Sequence, residues 1–317
     1  MTTAIHPEKI LRELSEQWDQ LDQEQAVSGG VLRACSMTLV VTADDDLDAE
    51  KIRRTLGVLM HEHPSRAVVL TARDAPGQPS PELDARVFAE CWKPFGSNQQ
   101  ICSEGVEILA DSASLEEAAR LLVPLKVPDL PLVLWCRGPQ AFQLRAFDAL
   151  FPVADKLIFD SARVPRAAAA LGFLRSLRAR GCRVADLHWT RLTGWREVLA
   201  HLFDDEALPA SSITTARVEY GGAAPSTCAL YFAAWIAKAL PAARLSLVGE
   251  AGGVGLRSVT LASATCELSL TKVGRSIEVN GCGRHYRSPL PPADEESLMR
   301  EELKILGPDL VYDRVLE

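Results

Sequence analysis

The sequence predicts an α/β protein: a mostly parallel sheet flanked by helices, then a smaller α+β portion with an antiparallel sheet. Two observations carry this. Up to about Leu208, short apolar runs alternate with helical patterns, which implies parallel strands with helical crossovers. After that point short strand patterns follow one another with glycine turns between them, the mark of an antiparallel sheet. The expected division is a helical segment over 1–29, an α/β domain over 30–207 and an α+β domain over 208–317.

The elements follow in order. Pro7 suits a first helical position, and Ile10, Leu11, Leu14, Trp18 and Leu21 make one apolar stripe behind it. "VLRACSMTLVVTA" reads as a strand, and the acids Asp44 to Asp46 precede a helix, "LDAEKIRRTLGVLMHE", whose N-terminal dipole favours them. "RAVVLTA", "ARVFAECW" and the region of "QQICSEGVEIL" read as strands. Ser114 and Glu117 stand three apart, as a capping box requires. "PLVLWCRG" is a strand, a helix is expected from about Gln140, "DKLIFDS" is a strand, and "PRAAAALGFLRSLRAR" is a helix closed by Gly181. "RVADLHW" reads as a strand and "TGWREVLAHLF" as a helix burying Trp195, Val198, Leu199 and Leu202.

Beyond these, "ITTARVEYGG" and "CALYFAAWIAKAL" form one more strand-helix pair. "RLSLVGE", "LRSVTLA", "CELSLTK", "SIEVNG" and "HYRSPL" are strands, and "DEESLMREELKIL" is a terminal helix with acids at its start.

Bulk properties narrow the function. The 317 residues are 47% hydrophobic and 24% charged, with a net charge of −8. That balance is typical of a soluble globular protein and argues against a general nucleic-acid binder. The start, "MTTAIHPEKI", lacks a secretory pattern, and the longest apolar run, "CALYFAAWIA", falls far short of the roughly 20 residues that span a bilayer. No membrane partner and a cytoplasmic location are expected. The eight cysteines form no C-x-x-C pair, and several sit in apolar strands, so reduced buried thiols are expected.

Short motifs give little. His61 and His63 end a helix, where a spacing of two puts them on nearly opposite sides, so no metal is expected there. "GEAGGVGLRS" has Ser258 where a dinucleotide loop needs its third glycine, and a strand follows instead of a helix. A hairpin connection explains it better. From Ser161 to Ala185 there are six arginines (Arg163, Arg166, Arg175, Arg178, Arg180, Arg183) and no acid. Arg175 and Arg178 share a helix face, suited to an acidic partner or a phosphate, or to carboxylates elsewhere in the chain.

The densest stretch is "DLHWTRLTGW", residues 186–195. On a strand end Asp186 and His188 would face one side, as a general base and its orienter would, but no Ser or Cys nucleophile stands nearby in sequence. Thr190 or Thr193 is a natural N-cap. Trp189 and Arg191 are residue types enriched among interface anchors.

That stretch resembles the D-L-N-W-T-R-L-x-x-W-R-E segment of the glucose-6-phosphate dehydrogenase assembly proteins, the OpcA family. "HPSRAVVL" is similar to the family's H-P-x-R strand entry, "PLVLWCRG" to P-x-x-L-W-W-R-G and "DKLIFDS" to D-x-x-I-x-D-S, in the same order. The later "VEYGG…ALYFAAWIAKAL" fits more loosely. His188 replaces the usual Asn, and Cys136 a frequent Trp.

The resemblance implies a non-catalytic protein, without cofactor or metal of its own, that binds glucose-6-phosphate dehydrogenase and promotes its assembly or activates it allosterically. Sugar phosphate and NADP would belong to that partner, in the oxidative pentose phosphate pathway. The candidate partner-binding or motif residues are His63, Arg66, Trp135, Arg137, Asp160, Ser161, Trp189, Arg191 and Trp195 from these motifs, with His188 at the strand-end edge and Arg175 and Arg178 from the basic stretch. The alternative is a sensor or enzyme for a sugar phosphate, using the crevice beyond the strand ends.

Overall fold

A computed structural model of the chain describes residues 6–25, 30–72, 83–93, 99–111, 114–143, 145–204 and 209–317. The chain forms two compact units. One is 1–160 with 177–184 and 303–307; the other is 161–176 with 185–302 and 308–317.

The first unit opens with α1 (Pro7–Gln25), β1 (Val31–Arg33), β2 (Met37–Ala43), α2 (Asp46–Glu62), β3 (Ser65–Ala72), β4 (Asp84–Trp92) and β5 (Gln100–Ala110). It continues through α3 (Leu115–Leu125), β6 (Leu132–Cys136) and β7 (Lys156–Phe159), after which the chain runs through α4 (Ala167–Ala179) and β8 (Val184–Asp186). The sheet order is β1-β5-β3-β2-β6-β7-β8, with β4 antiparallel against β5. Between β5 and β7 all neighbours are parallel. Counted from β2, with β4 and β1 set aside, this is the doubly wound order 3-2-1-4-5-6, and its direction reverses between β2 and β6. Every residue of β2, β3, β6 and β7 is buried, as expected of strands covered on both faces.

The second unit holds α5 (Leu187–Thr190), α6 (Thr193–Phe203), β9 (Thr215–Gly221), α7 (Thr227–Ala239) and β10 (Arg244–Glu250). Then come β11 (Gly255–Ala262), β12 (Glu267–Val273), β13 (Ser276–Gly281), β14 (Arg284–Pro289), α8 (Glu295–Glu302) and α9 (Leu310–Leu316). The sheet order is β10-β9-β11-β12-β13-β14. It is antiparallel from β9 to β14, and β10 joins β9 in parallel through α7. Alternation buries Leu268, Leu270, Ile277 and Val279 on one face of it.

Several local expectations are corrected. "VLRACSMTLVVTA" is two strands: β1 pairs with β5, while β2 lies between β3 and β6. In place of a helix from Gln140 there are 3₁₀ turns at Pro139–Phe142, Arg145–Ala149 and Phe151–Val153, in a segment punctuated by Pro139 and Pro152. Ser114 begins α3 but makes no capping bond to it; its hydroxyl instead donates to Asp111 Oδ1 at 2.7 Å. "GEAGGVGLRS" is no hairpin, because β10 and β11 both pair with β9. The terminal helix stops at Glu302, and α9 follows past Gly307 and Pro308.

The cysteines also differ from expectation. Cys91 is joined to Cys102, its cross-strand neighbour, and Cys266 to Cys282; Cys35, Cys136, Cys182 and Cys228 are free. Among the described residues no helix is long and apolar enough to cross a membrane.

Candidate functional site

In a doubly wound sheet the point where strand order reverses is where a ligand would be sought, with the first strand-helix turn as its phosphate cradle. Here that turn runs from β2 to α2 through Asp44 and Asp45. Asp45 caps α2 by accepting the Asp48 N–H at 2.7 Å, and the Asp44 N–H donates to Asp48 Oδ2 at 3.2 Å. Arg137, at the end of β6, is 9% exposed, donates from its guanidinium to Asp48 Oδ1, and donates its backbone N–H to Thr42 Oγ1 at 3.1 Å. A Cβ added to Gly138 would lie 2.2 Å from Asp44 Oδ1, so the carboxylate occupies the space beside that glycine. A pyrophosphate would meet carboxylates and amides already in use. The residues present do not fit a dinucleotide.

At the opposite end of β3, His63 ends α2, its N–H donating to Leu59 O at 2.8 Å. Its Nε2 and the Ser65 hydroxyl are buried with no hydrogen-bond partner among the described residues. Arg66 is 6% exposed; it donates to Glu104 and, at 2.8 Å, to Leu125 O. Glu104 also accepts from Trp18 Nε1 and Arg33, both at 2.7 Å, so one buried carboxylate ties α1, β1, β3 and β5 together. Burial pushes this carboxyl up, but the Trp18 hydrogen bond and the Arg66 charge outweigh it and hold it below its usual value. Trp135 in β6 is wholly buried, its indole N–H without a partner among the described residues, and Asp160 is buried just past β7.

The second unit gathers the remaining motif residues around Asp186. "RVADLHW" is not a continuous strand: Asp186 caps the short helix α5, and its Oδ1 accepts the His188 N–H at 2.9 Å. His188 therefore does not alternate with Asp186 along a strand. Oδ1 also accepts the Ser161 N–H at 3.0 Å, and Oδ2 the Tyr231 hydroxyl at 2.9 Å. Tyr231 and Tyr312 share a hydrogen bond at 2.9 Å. Burial, reinforced by the Asp186 charge, pushes both phenols well above their ordinary range. Ser161 Oγ lies 3.2 Å from His188 Nδ1, but the serine is 1% exposed, so its hydroxyl is not open to a substrate.

Trp189 is 2% exposed and donates to Asp309 Oδ2 at 2.9 Å; the Arg196 guanidinium lies over its ring at 3.8 Å. Thr190 donates to Glu302 Oε2 at 2.7 Å, and Leu192, not either threonine, caps α6. Trp195 packs edge-on against Phe232. Arg191 is half-buried and stands beyond α5.

The basic stretch is largely balanced by partners in the chain. Arg163 pairs with Glu295, Arg180 with Asp148, and Arg175 donates to Leu316 O at 2.6 Å. Arg175 is exposed and Arg178 half-buried. The residues that sequence reasoning missed are the acceptors and phenols of these clusters: Asp48, Glu104, Tyr231, Glu302, Asp309 and Tyr312. Only the apolar run around Tyr231 gave a signal for any of them.

Fold and site define a doubly wound α/β protein whose phosphate-binding turn is replaced by a carboxylate–arginine cluster, followed by a largely antiparallel sheet. Two family models match it. They describe the N-terminal domain of a glucose-6-phosphate dehydrogenase subunit, matched over residues 57–176, and the C-terminal domain of that subunit, matched over 182–316. The chain belongs to this family, OpcA.

Curated relatives include proteins named "Putative OxPP cycle protein OpcA". That of Synechocystis sp. is 28% identical over 184 residues, 57% of this chain and 37% of the relative. That of Synechococcus elongatus is 28% identical over 210 residues, 64% of this chain and 45% of the relative. The chain thus spans less than half the length of the curated relatives it matches.

Similar solved structures include the biliverdin reductase of Synechocystis sp. (9% identity, TM-score 0.47, covering 88% of this chain and 94% of that one). Another is the aldose-aldose oxidoreductase of Caulobacter crescentus (10%, 0.49, 88% and 93%). The topology rests on the strand order itself.

Proposed function

We propose that the chain is a non-catalytic partner of glucose-6-phosphate dehydrogenase, binding it to promote its assembly and active state within the oxidative pentose phosphate pathway. The observation that carries this is the match of two consecutive domain models of one dehydrogenase-associated family. The turn between β2 and α2 supports it, since a chain without a dinucleotide cradle relies on its partner for hydride chemistry. Binding that favours the dehydrogenase's active form shifts its population by the difference in affinity; about 2.7 kcal/mol gives roughly a hundredfold shift.

Most motif residues act in this account by holding the two units in shape: Arg66, Trp135, Arg137, Asp160, Ser161, Trp189 and Trp195 are all buried. Arg175, Arg178, His188 and Arg191, none of them fully buried, are left as the candidates to meet the partner. The test is the cognate dehydrogenase's rate, titrated with this chain. A saturable rise is expected; a flat titration overturns the reading.

One observation favours a second reading, a sugar-phosphate sensor. A cavity of about 420 Å³ lies in the first unit, bordered by Arg53, Thr71, Asp84, Arg86 and Glu107. Arg53 already pairs with Glu107, and Arg86 with Asp84, which leaves it little surplus charge for a phosphate. Calorimetric titration of the isolated chain with glucose 6-phosphate separates the readings, because the sensor binds without a dehydrogenase present.

A further inference from the structure

We propose that β14 is a docking edge, to which an extended, carboxylate-bearing segment of the partner protein adds as one more strand; this rests on the partner reading above. β14 is the last strand of its sheet, with β13 on one side and no strand on the other among the described residues. It joins β13 through a two-residue turn at Cys282 and Gly283, both at positive φ (50° and 75°), which makes Gly281 and Arg284 a hydrogen-bonded pair. Alternation along the ladder then sends the backbone groups of Arg284, Tyr286 and Ser288 toward β13. Those of His285 and Arg287 point outward. A strand laid against that edge finds two amides and two carbonyls in register, the backbone pairing by which peptides extend sheets.

Charge selects the occupant. From Lys272 to Pro289 the chain carries four cations (Lys272, Arg275, Arg284, Arg287) and one carboxylate (Glu278), in a protein of net charge −8. Glu278 faces Arg287 across the pair at 3.9 Å. Arg287 stays 58% exposed, and Tyr286 is 41% exposed. A second copy of β14, added antiparallel, would bring two edges that each carry Arg284 and Arg287 together, an approach that like charge disfavours. Such cations guard an edge against self-pairing. The strand that overcomes the guard is an acidic one, which the same field also steers to the edge.

The experiment measures binding of the full chain to the cognate glucose-6-phosphate dehydrogenase by biolayer interferometry at two salt concentrations. His285→Pro deletes an outward amide and keeps the ladder bonds to β13, a substitution that edge strands tolerate. It is expected to weaken binding at least tenfold, with an unchanged melting temperature, while His285→Ala binds as the wild type does. Arg275→Glu with Arg287→Gln, both at exposed positions, is expected to slow association and flatten its salt dependence.

Wild-type binding retained in both His285→Pro and the double variant overturns the docking edge alone. So does a loss of self-association in His285→Pro, which would make the occupant a second copy. A wild-type chain that does not bind the dehydrogenase overturns the partner reading and this inference with it.

Discussion

Tyr231 donates its hydroxyl to Asp186 Oδ2 at 2.9 Å, while the other oxygen of that carboxylate holds the amides of Ser161 and His188. One buried charge thus joins α7, the start of α5 and the segment after Asp160 within the second unit. Tyr231→Phe leaves this carboxylate short of a donor and Tyr312 short of a partner. A buried polar group left unsatisfied costs about 1–3 kcal/mol, which urea unfolding should register as a lower midpoint. An unchanged midpoint would mean the bond contributes nothing.

Arg66 and Glu104 form the equivalent centre of the first unit, with side chains 8% and 2% exposed. Arg66→Met removes the buried cation and leaves Glu104 with Trp18 and the half-exposed Arg33 as its donors; a loss of about 1–3 kcal/mol is expected by denaturant titration.

The same carboxylate makes stability depend on acid. Its folded pKa lies below the usual 4.5, so its contribution is complete above that value and is lost as pH falls through the folded pKa. Unfolding measured from pH 6 down to pH 3, about the range in which a carboxylate titrates, should show a decline setting in below about 4.5. In Glu104→Gln that part of the decline is absent.

Gly138 and Asp44 are predicted to be coupled. Gly138→Ala puts a methyl where the Asp44 carboxylate sits, at a cost of about 1–3 kcal/mol. Combining it with Asp44→Ala should cost less than the sum of the two, and a double-mutant cycle measures the difference. Full additivity would show that the carboxylate moves aside freely.

For the same reason NADP+ should leave the melting temperature of the isolated chain unchanged, since a ligand of the folded state raises it by mass action. A concentration-dependent rise would show that the Asp44 turn accepts a dinucleotide after all.

The alternation of strands and helices, the buried stripe of α6 and the left-handed Gly181 were all legible in the sequence, because periodicity and glycine punctuation are local signals. The family motifs were legible as well, but their roles were not. "DLHWTR" looks like exposed chemistry until Asp309, 120 residues beyond Trp189, is seen to accept its indole proton. The partners of Arg66 and Arg137 lie 38 and 89 residues away, and no spacing rule reaches that far. The pairing of Cys91 with Cys102 depended on β4 and β5 lying in that register, and the place of β10 depended on a crossover the glycine-rich loop does not announce.

The central claim is that this chain acts through glucose-6-phosphate dehydrogenase. It is tested most directly by size-exclusion chromatography with light scattering on mixtures of the two proteins, with dehydrogenase activity assayed in the same fractions. The account predicts a species heavier than either protein alone, carrying both chains and a higher specific activity than the free enzyme. Two separate peaks at micromolar concentrations, with the enzyme's activity unchanged, would contradict it.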